Sequence, residues 1–214
     1  MLEELFNLVR ESSHDAVVNN PDVPNEHNDE VVAEATNTVA SGLRNMIAGG
    51  GLKSIISLFQ HKDGQGNGGG GSLLDNPLVS MMIGHLAGKL STKFNMNETK
   101  ANGVASSLIP NVLGNLVSKS NDPSDNGFSL EKLLNSITGG KTQELVEEEQ
   151  KSGKSGFNFK DLLNKIIGGG NNNEGGGGGL MNIITKLAGG ALSQQKRNGG
   201  GGGLLNVIKG FFNK

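Results

Sequence analysis

The 214-residue chain has 35 glycines, no cysteine, no tryptophan and no tyrosine, and only 34% of its residues are hydrophobic. The absence of cysteine excludes disulfides, thiolate nucleophiles and cysteine-ligated metal sites. Net charge is −2, but residues 1–150 carry 10 Lys/Arg against 19 Asp/Glu, and residues 151–214 carry 9 against 2. A basic tail therefore follows an acidic body, an asymmetry that points to a tail meeting something acidic.

Leu, Ile, Val, Ala, Met and eight Phe must build the core, which favours helix packing over a β-sandwich. The start, Met1-Leu2-Glu3-Glu4-Leu5-Phe6, has neither the basic nor the apolar region of a signal peptide. No run reaches the roughly 18 apolar residues of a spanning helix. The expected location is cytoplasmic, with membrane association through the tail as the variant. The runs Gly68–Gly71, Gly175–Gly179 and Gly199–Gly203 read as spacers, because glycine loses the most backbone freedom on ordering.

In chain order, Leu2, Leu5, Phe6, Val9, Ala16 and Val17 mark one face of a helix running to Asn20, ended by Pro21 and Pro24. A second helix is expected from Asn28-Asp29-Glu30, striped by Val31, Val32, Ala35, Val39, Leu43 and Met46, and stopped at Gly49-Gly50-Gly51. Leu52–Phe59 gives a third, before a linker over Gly64–Ser72. Asn76-Pro77 opens the next helix with proline in its first turn, and Val79, Met82, Ile83, Leu86 and Leu90 supply its stripe. Asn97-Glu98 opens another, through Ala101, Val104 and Leu108; Pro110 is expected to break it and start one more over Val112, Leu113, Leu116 and Val117. The organisation read from this is 1–62 helical, 63–75 linker, 76–125 compact helical core and 126–214 tail.

The passage Lys93-Phe94-Asn95-Met96-Asn97 through Ala105-Ser106-Ser107-Leu108-Ile109-Pro110 to Val117-Ser118-Lys119 resembles the YidB-like family of uncharacterised bacterial helical proteins. Asn19-Asn20-Pro21, Pro24-Asn25-Glu26 and Ser120-Asn121-Asp122-Pro123 extend the likeness over roughly residues 1–140. The resemblance implies an all-α multihelical fold and no activity, and it leaves the rest of the tail uncovered.

A repeat organises that tail. Gly127–Gly140 aligns without gaps on Gly156–Gly169, matching at 8 of 14 positions. Their kernels, Leu133-Leu134-Asn135-Ser136-Ile137 and Leu162-Leu163-Asn164-Lys165-Ile166, recur as Leu180-Met181-Asn182-Ile183-Ile184 and Leu204-Leu205-Asn206-Val207-Ile208. Spacings of 29, 18 and 24 residues are too irregular for a solenoid. Each kernel aligns aliphatic residues on one helical face between glycines. Helices this short are marginal in water, so each must dock on something. Three partners fit: the chain's own body, another copy, or a membrane surface. For the last, Phe211 and Phe212 with Lys209 and Lys214 give Leu204–Lys214 the make-up of an interfacial helix.

Sites for chemistry are sparse. Gly140-Lys141-Thr142 and Gly153-Lys154-Ser155 end like P-loops, but Asn135 and Glu148 stand where the first glycine is required. His14, His27, His61 and His85 lack paired ligand spacing. Glu144, Glu147, Glu148 and Glu149 lack the alternation of a calcium loop and read as a solvated helix or linker. No Gly-x-Ser-x-Gly elbow occurs, and the tail has one arginine and no aromatics among its charges for nucleic acid. The expectation is an all-α multihelical bundle of short helices with a glycine-rich tail, non-enzymatic, without cofactor, metal or small-molecule substrate. It would act in interaction or self-assembly, with peripheral membrane association as the alternative. The docking residues expected are Leu133, Leu134, Ile137, Leu162, Leu163, Ile166, Leu180, Ile183, Ile184, Leu204, Leu205, Ile208, Phe211 and Phe212.

Overall fold

The first helix, α1 (Leu2–Ser12), has Glu3 and Glu4 in its first turn and Arg10 in its last, the charge order a helix dipole favours. It buries Leu5, Phe6, Leu8 and Val9 and stops short of the expected Asn20. The hydroxyls of Ser12 and Ser13 donate to the carbonyls of Leu8 and Arg10, each at 2.7 Å. Such local side-chain bonds compete with continuation of the helix. A single π turn over His14–Val18 then buries Ala16 and Val17. The computed structural model describes residues 2–60, 76–122, 128–168, 176–197 and 201–213; the expected linker 63–75 lies outside them.

A 3₁₀ turn (Asn25–His27) leads into α2 (Asn28–Ala48), which ends at Gly49 as the glycine run predicts. Its apolar residues are buried on more than one side, and so are the polar residues Glu34, Thr36, Asn37 and Thr38. A helix covered all round belongs at the centre of a fold. Accordingly α2 packs against α1, against α3 (Leu52–Gln60), against α4 (Pro77–Phe94), and against two tail helices described below.

Asn76 caps α4 by accepting from the Leu78 amide at 3.0 Å, with Pro77 in the first turn. The chain turns through Asn95 in the left-handed region (φ 53°). Asn97 then caps α5 (Glu98–Asn121) by accepting from the Thr99 amide at 2.9 Å. Helices α4 and α5 pack against each other as a hairpin. Pro110 does not break α5: the helix runs through it. An interior proline costs about 3 kcal/mol, and here Leu108, Ile109, Val112 and Leu113 on either side of it are fully buried. The packing on both flanks offsets the lost hydrogen bond.

The tail comprises α6 (Leu130–Ile137), α7 (Lys141–Lys151), α8 (Phe159–Ile167), α9 (Gly176–Arg197) and α10 (Gly201–Lys209), with a closing 3₁₀ turn over Gly210–Asn213. The first two repeat copies match in their caps as well as their kernels. Ser129 accepts from the Lys132 amide, and Asn158 forms a capping box with Asp161. Glycine does not stop α9, which passes through Gly189-Gly190. Gly190 lies so close to the α6–α7 turn that a Cβ there would overlap the Thr138 carbonyl oxygen. It is kept by close approach, not by helix termination. The fold is all-α, with no strand among the described residues. One hydrophobic cluster runs from Leu5 to Ile208.

Candidate interaction surfaces

The kernels come first, since sequence placed the docking function on them. Leu133, Leu134, Ile137, Leu162, Ile166, Ile183 and Ile208 are buried, and Leu163, Leu205 and Phe211 pack half-buried against the same cluster. Ile184 is half-buried on α9. The side chains of Leu180, Leu204 and Phe212 lie outside the described residues. Helix α9 packs on α2, α6, α7 and α8, and α10 packs on α2 and α1. Phe211 meets Phe6 with ring centroids 5.9 Å apart. The inner faces of the kernels are thus spent on the chain's own core.

Charge follows the same pattern. Glu149 on α7 takes Lys154 at 2.7 Å and Lys165 of α8 at 2.8 Å, and Glu148 takes Lys186 of α9 at 2.5 Å. Lys209 of α10 sits 3.6 Å from Glu30 of α2. Hydrogen bonds from Lys154 and Lys165 hold the Glu149 carboxyl below its ordinary range. The run Glu144–Glu149 therefore lies on a helix, anchored by buried Leu145, and anchors basic tail residues.

A buried polar seam runs along α2. Glu34, 2% exposed, receives Lys89 at 2.9 Å and also Lys93, both from α4. Burial raises the Glu34 carboxyl, but the hydrogen bonds from Lys93 and Lys89 outweigh it and the net shift is downward. Nearby, burial first and Lys89 second push His85 below its usual value, against an upward pull from Glu34. Further along α2, Asn37 Oδ1, Thr38 Oγ1 and Arg44 Nε are buried without a hydrogen-bond partner. Sequence gave no local sign of this seam, because Glu34 and its lysines are 55 and 59 residues apart.

The motifs weighed for chemistry sit apart. Thr142, the hydroxyl of the first P-loop-like ending, is 1% exposed and shares a 3.0 Å hydrogen bond with Thr138. His27 lies against the Phe94 ring, with centroids 5.2 Å apart, while His61 lies outside the described residues. No helix among the described residues is long and apolar enough to cross a membrane.

Two exposed faces among the described residues bear on interaction. The first is the outer side of the α4–α5 hairpin. Residues 77–88 and 101–118 contain no Asp, Glu, Lys or Arg. A hollow of about 570 Å³ lies here, lined by Ala87, Gly88, Ser91, Thr92, Glu98 and Asn102. Met81 stands 59% exposed on the same side of α4 as Gly84 and Gly88, where an added Cβ would meet open space. The second is the outer side of α9, where Met181 is 65% and Leu192 45% exposed. No family model matches the chain, and neither does any curated protein or solved structure.

Proposed function

We propose that this is a non-enzymatic interaction protein that self-associates, with the outer face of the α4–α5 hairpin as the contact between copies. The observation that carries the reading is the lack of charge over residues 77–88 and 101–118, with Glu98 at the turn end of the face. Ordinary protein surfaces are about a quarter to a third charged, whereas the centres of interfaces are depleted in charge. Gly84 and Gly88 let a second backbone approach closely. Met81 protrudes two turns before Gly88 on the same side of α4. An antiparallel crossing of two α4 helices near His85 therefore sets each Met81 over the other copy's Gly88. That arrangement is self-complementary, as a two-fold interface requires. The repeated amphipathic helices support this face from within by completing the core around α2.

The test is the mass of the full chain in solution, by light scattering or sedimentation across a concentration series. A dimer that becomes monomeric in Gly88→Leu and in Met81→Lys is expected. A monomer at every concentration defeats the reading.

A further inference from the structure

His85 stands where the contact proposed above would close. It lies about 40° around α4 from Met81 at 100° per residue, with Gly88 and Gly84 within about 60° on Met81's other side. All four are exposed. A two-fold axis that exchanges antiparallel helices is normal to the plane holding them, so each residue stays on its own side of that plane. A crossing centred near His85 therefore brings the two His85 rings together on one side, while each Met81 meets the other copy's Gly88. The surroundings offer this pair no counter-charge. Residues 77–88 of α4 and 101–118 of α5 contain no Asp, Glu, Lys or Arg. Lys89, one turn on, is a further cation, already held at 2.9 Å by Glu34 of α2, which also takes Lys93 and is 2% exposed. Glu98 of α5 lines the hollow with Ser91 and Thr92, about 9–10 Å farther along at 1.5 Å per residue, roughly a Debye length at physiological salt. Lys100 pairs with Asp22, and His27 lies at the far end of α4 against Phe94.

We propose that, given the α4–α5 face as the contact, His85 makes the self-association pH-dependent: copies join with both rings neutral and part when the rings take up protons. Histidine is the side chain whose ordinary charge change falls between pH 5 and 8. Two imidazolium ions facing each other across a seam without a carboxylate repel. In a single copy, burial first and Lys89 second already hold His85 below its ordinary value, against the pull of Glu34. Closing the contact removes more water and adds the second ring, and both favour the neutral form. Association then releases protons and weakens as pH falls, by up to about tenfold per pH unit for each proton released.

The test is sedimentation of the full chain over a concentration series at about pH 8 and about pH 5.5, with circular dichroism confirming that the helices persist at both. A dissociation constant about tenfold or more higher at the lower pH is expected, and His85→Gln should abolish the difference. By proton NMR, the His85 ring, assigned by its loss in His85→Gln, should titrate at lower pH in concentrated than in dilute protein. That titration decides the matter if His85→Gln does not associate at all. A dimer equally tight at both pH values, still separated by Gly88→Leu, overturns the proposal and leaves the α4–α5 contact standing. A pH difference that persists in His85→Gln, or a His85 titration independent of concentration, overturns it in the same way. A chain that is monomeric at every concentration at the higher pH overturns both.

Discussion

The α4–α5 hairpin and the α7–α9 segment solve the same packing problem by opposite means. The hairpin is continuous, capped by asparagine at each start, and free of charge along its body. It is held by interlocked aliphatic residues, with its charges at the turn, at the seam with α2, and at Lys119, which meets Glu11 of α1 at 3.1 Å. Helices α7 and α8 are 11 and 9 residues long and α9 is 22, and the three are laced by lysine–glutamate pairs. Exposed pairs of this kind contribute little each, on the order of 0.2–1 kcal/mol. The tail therefore depends on the apolar residues it inserts against α2, and its charges mainly fix which helix lies beside which. The contrast shows that an even distribution of helices does not imply an even distribution of stability.

The comparison can be broken first at the polar seam. Lys89→Met with Lys93→Met leaves the Glu34 carboxylate buried and unpaired, and is expected to cost about 3–5 kcal/mol in urea unfolding. Glu34→Gln should cost less, since Lys93, 46% exposed at its side chain, can turn to solvent. If the lysine pair proves neutral, the carboxylate is not the structural tie assigned to it.

Next comes the inner face of α9. Ile183→Ala, at a position 4% exposed, should lose about 2–4 kcal/mol. Because the hydrophobic cluster is shared from Leu5 to Ile208, the loss should shift one common transition, seen alike by far-ultraviolet circular dichroism and by amide exchange in α2. Two separate transitions would mean that body and tail unfold independently.

Gly190→Ala sharpens the point at a single atom. Alanine gains about 1 kcal/mol in helix propensity over glycine, but its methyl meets the Thr138 carbonyl. A net loss of about 1–2 kcal/mol is expected, against a gain at the open position Gly189, where nothing lies within 4 Å. Equal effects at the two positions would contradict the close crossing.

Acidification follows. The Glu34 carboxyl is lowered in the folded chain from its ordinary 4.5, so its contribution is complete above that value. It is lost as pH falls below 4.5 and through the folded value. His85, lowered from 6.5, acts with the same sign: the unfolded chain takes up the proton first, so stability falls as pH drops below 6.5. Stability should decline in two stages on acidification, with the lower stage reduced in Glu34→Gln and the remainder coming from Glu149, also lowered in the folded chain. The smallest effect is expected for Lys186→Gln, within about 1 kcal/mol, measured by thermal unfolding.

Much of the helical layout was legible in sequence because the signals are local. Asn76-Pro77 and Asn97 announce helix starts, Gly49 announces an end, and the matched caps at Ser129 and Asn158 follow from the repeat. The misreadings share a cause. Pro110 and Gly189-Gly190 are breakers by propensity, yet both lie inside helices because packing on their flanks outweighs a local cost of a few kcal/mol. Ser13 ends a helix whose apolar spacing continues past it, through hydroxyl bonds that spacing does not reveal. The kernels were visible, but not which of their faces would stay open. The outer stripe of α9 depends on where α2 and α7 lie, and Glu34 depends on lysines on another helix.

The central place of α2 also has a consequence for timing. Roughly 160 residues separate its end at Ala48 from the end of α10 at Lys209, and both α9 and α10 cover it. At synthesis rates of about 5–20 residues per second, the side of α2 awaiting them stays uncovered for roughly 10–30 s after it leaves the ribosome. The first helices made are thus completed by the last, and a nascent chain stalled before α9 carries an open apolar flank throughout that interval.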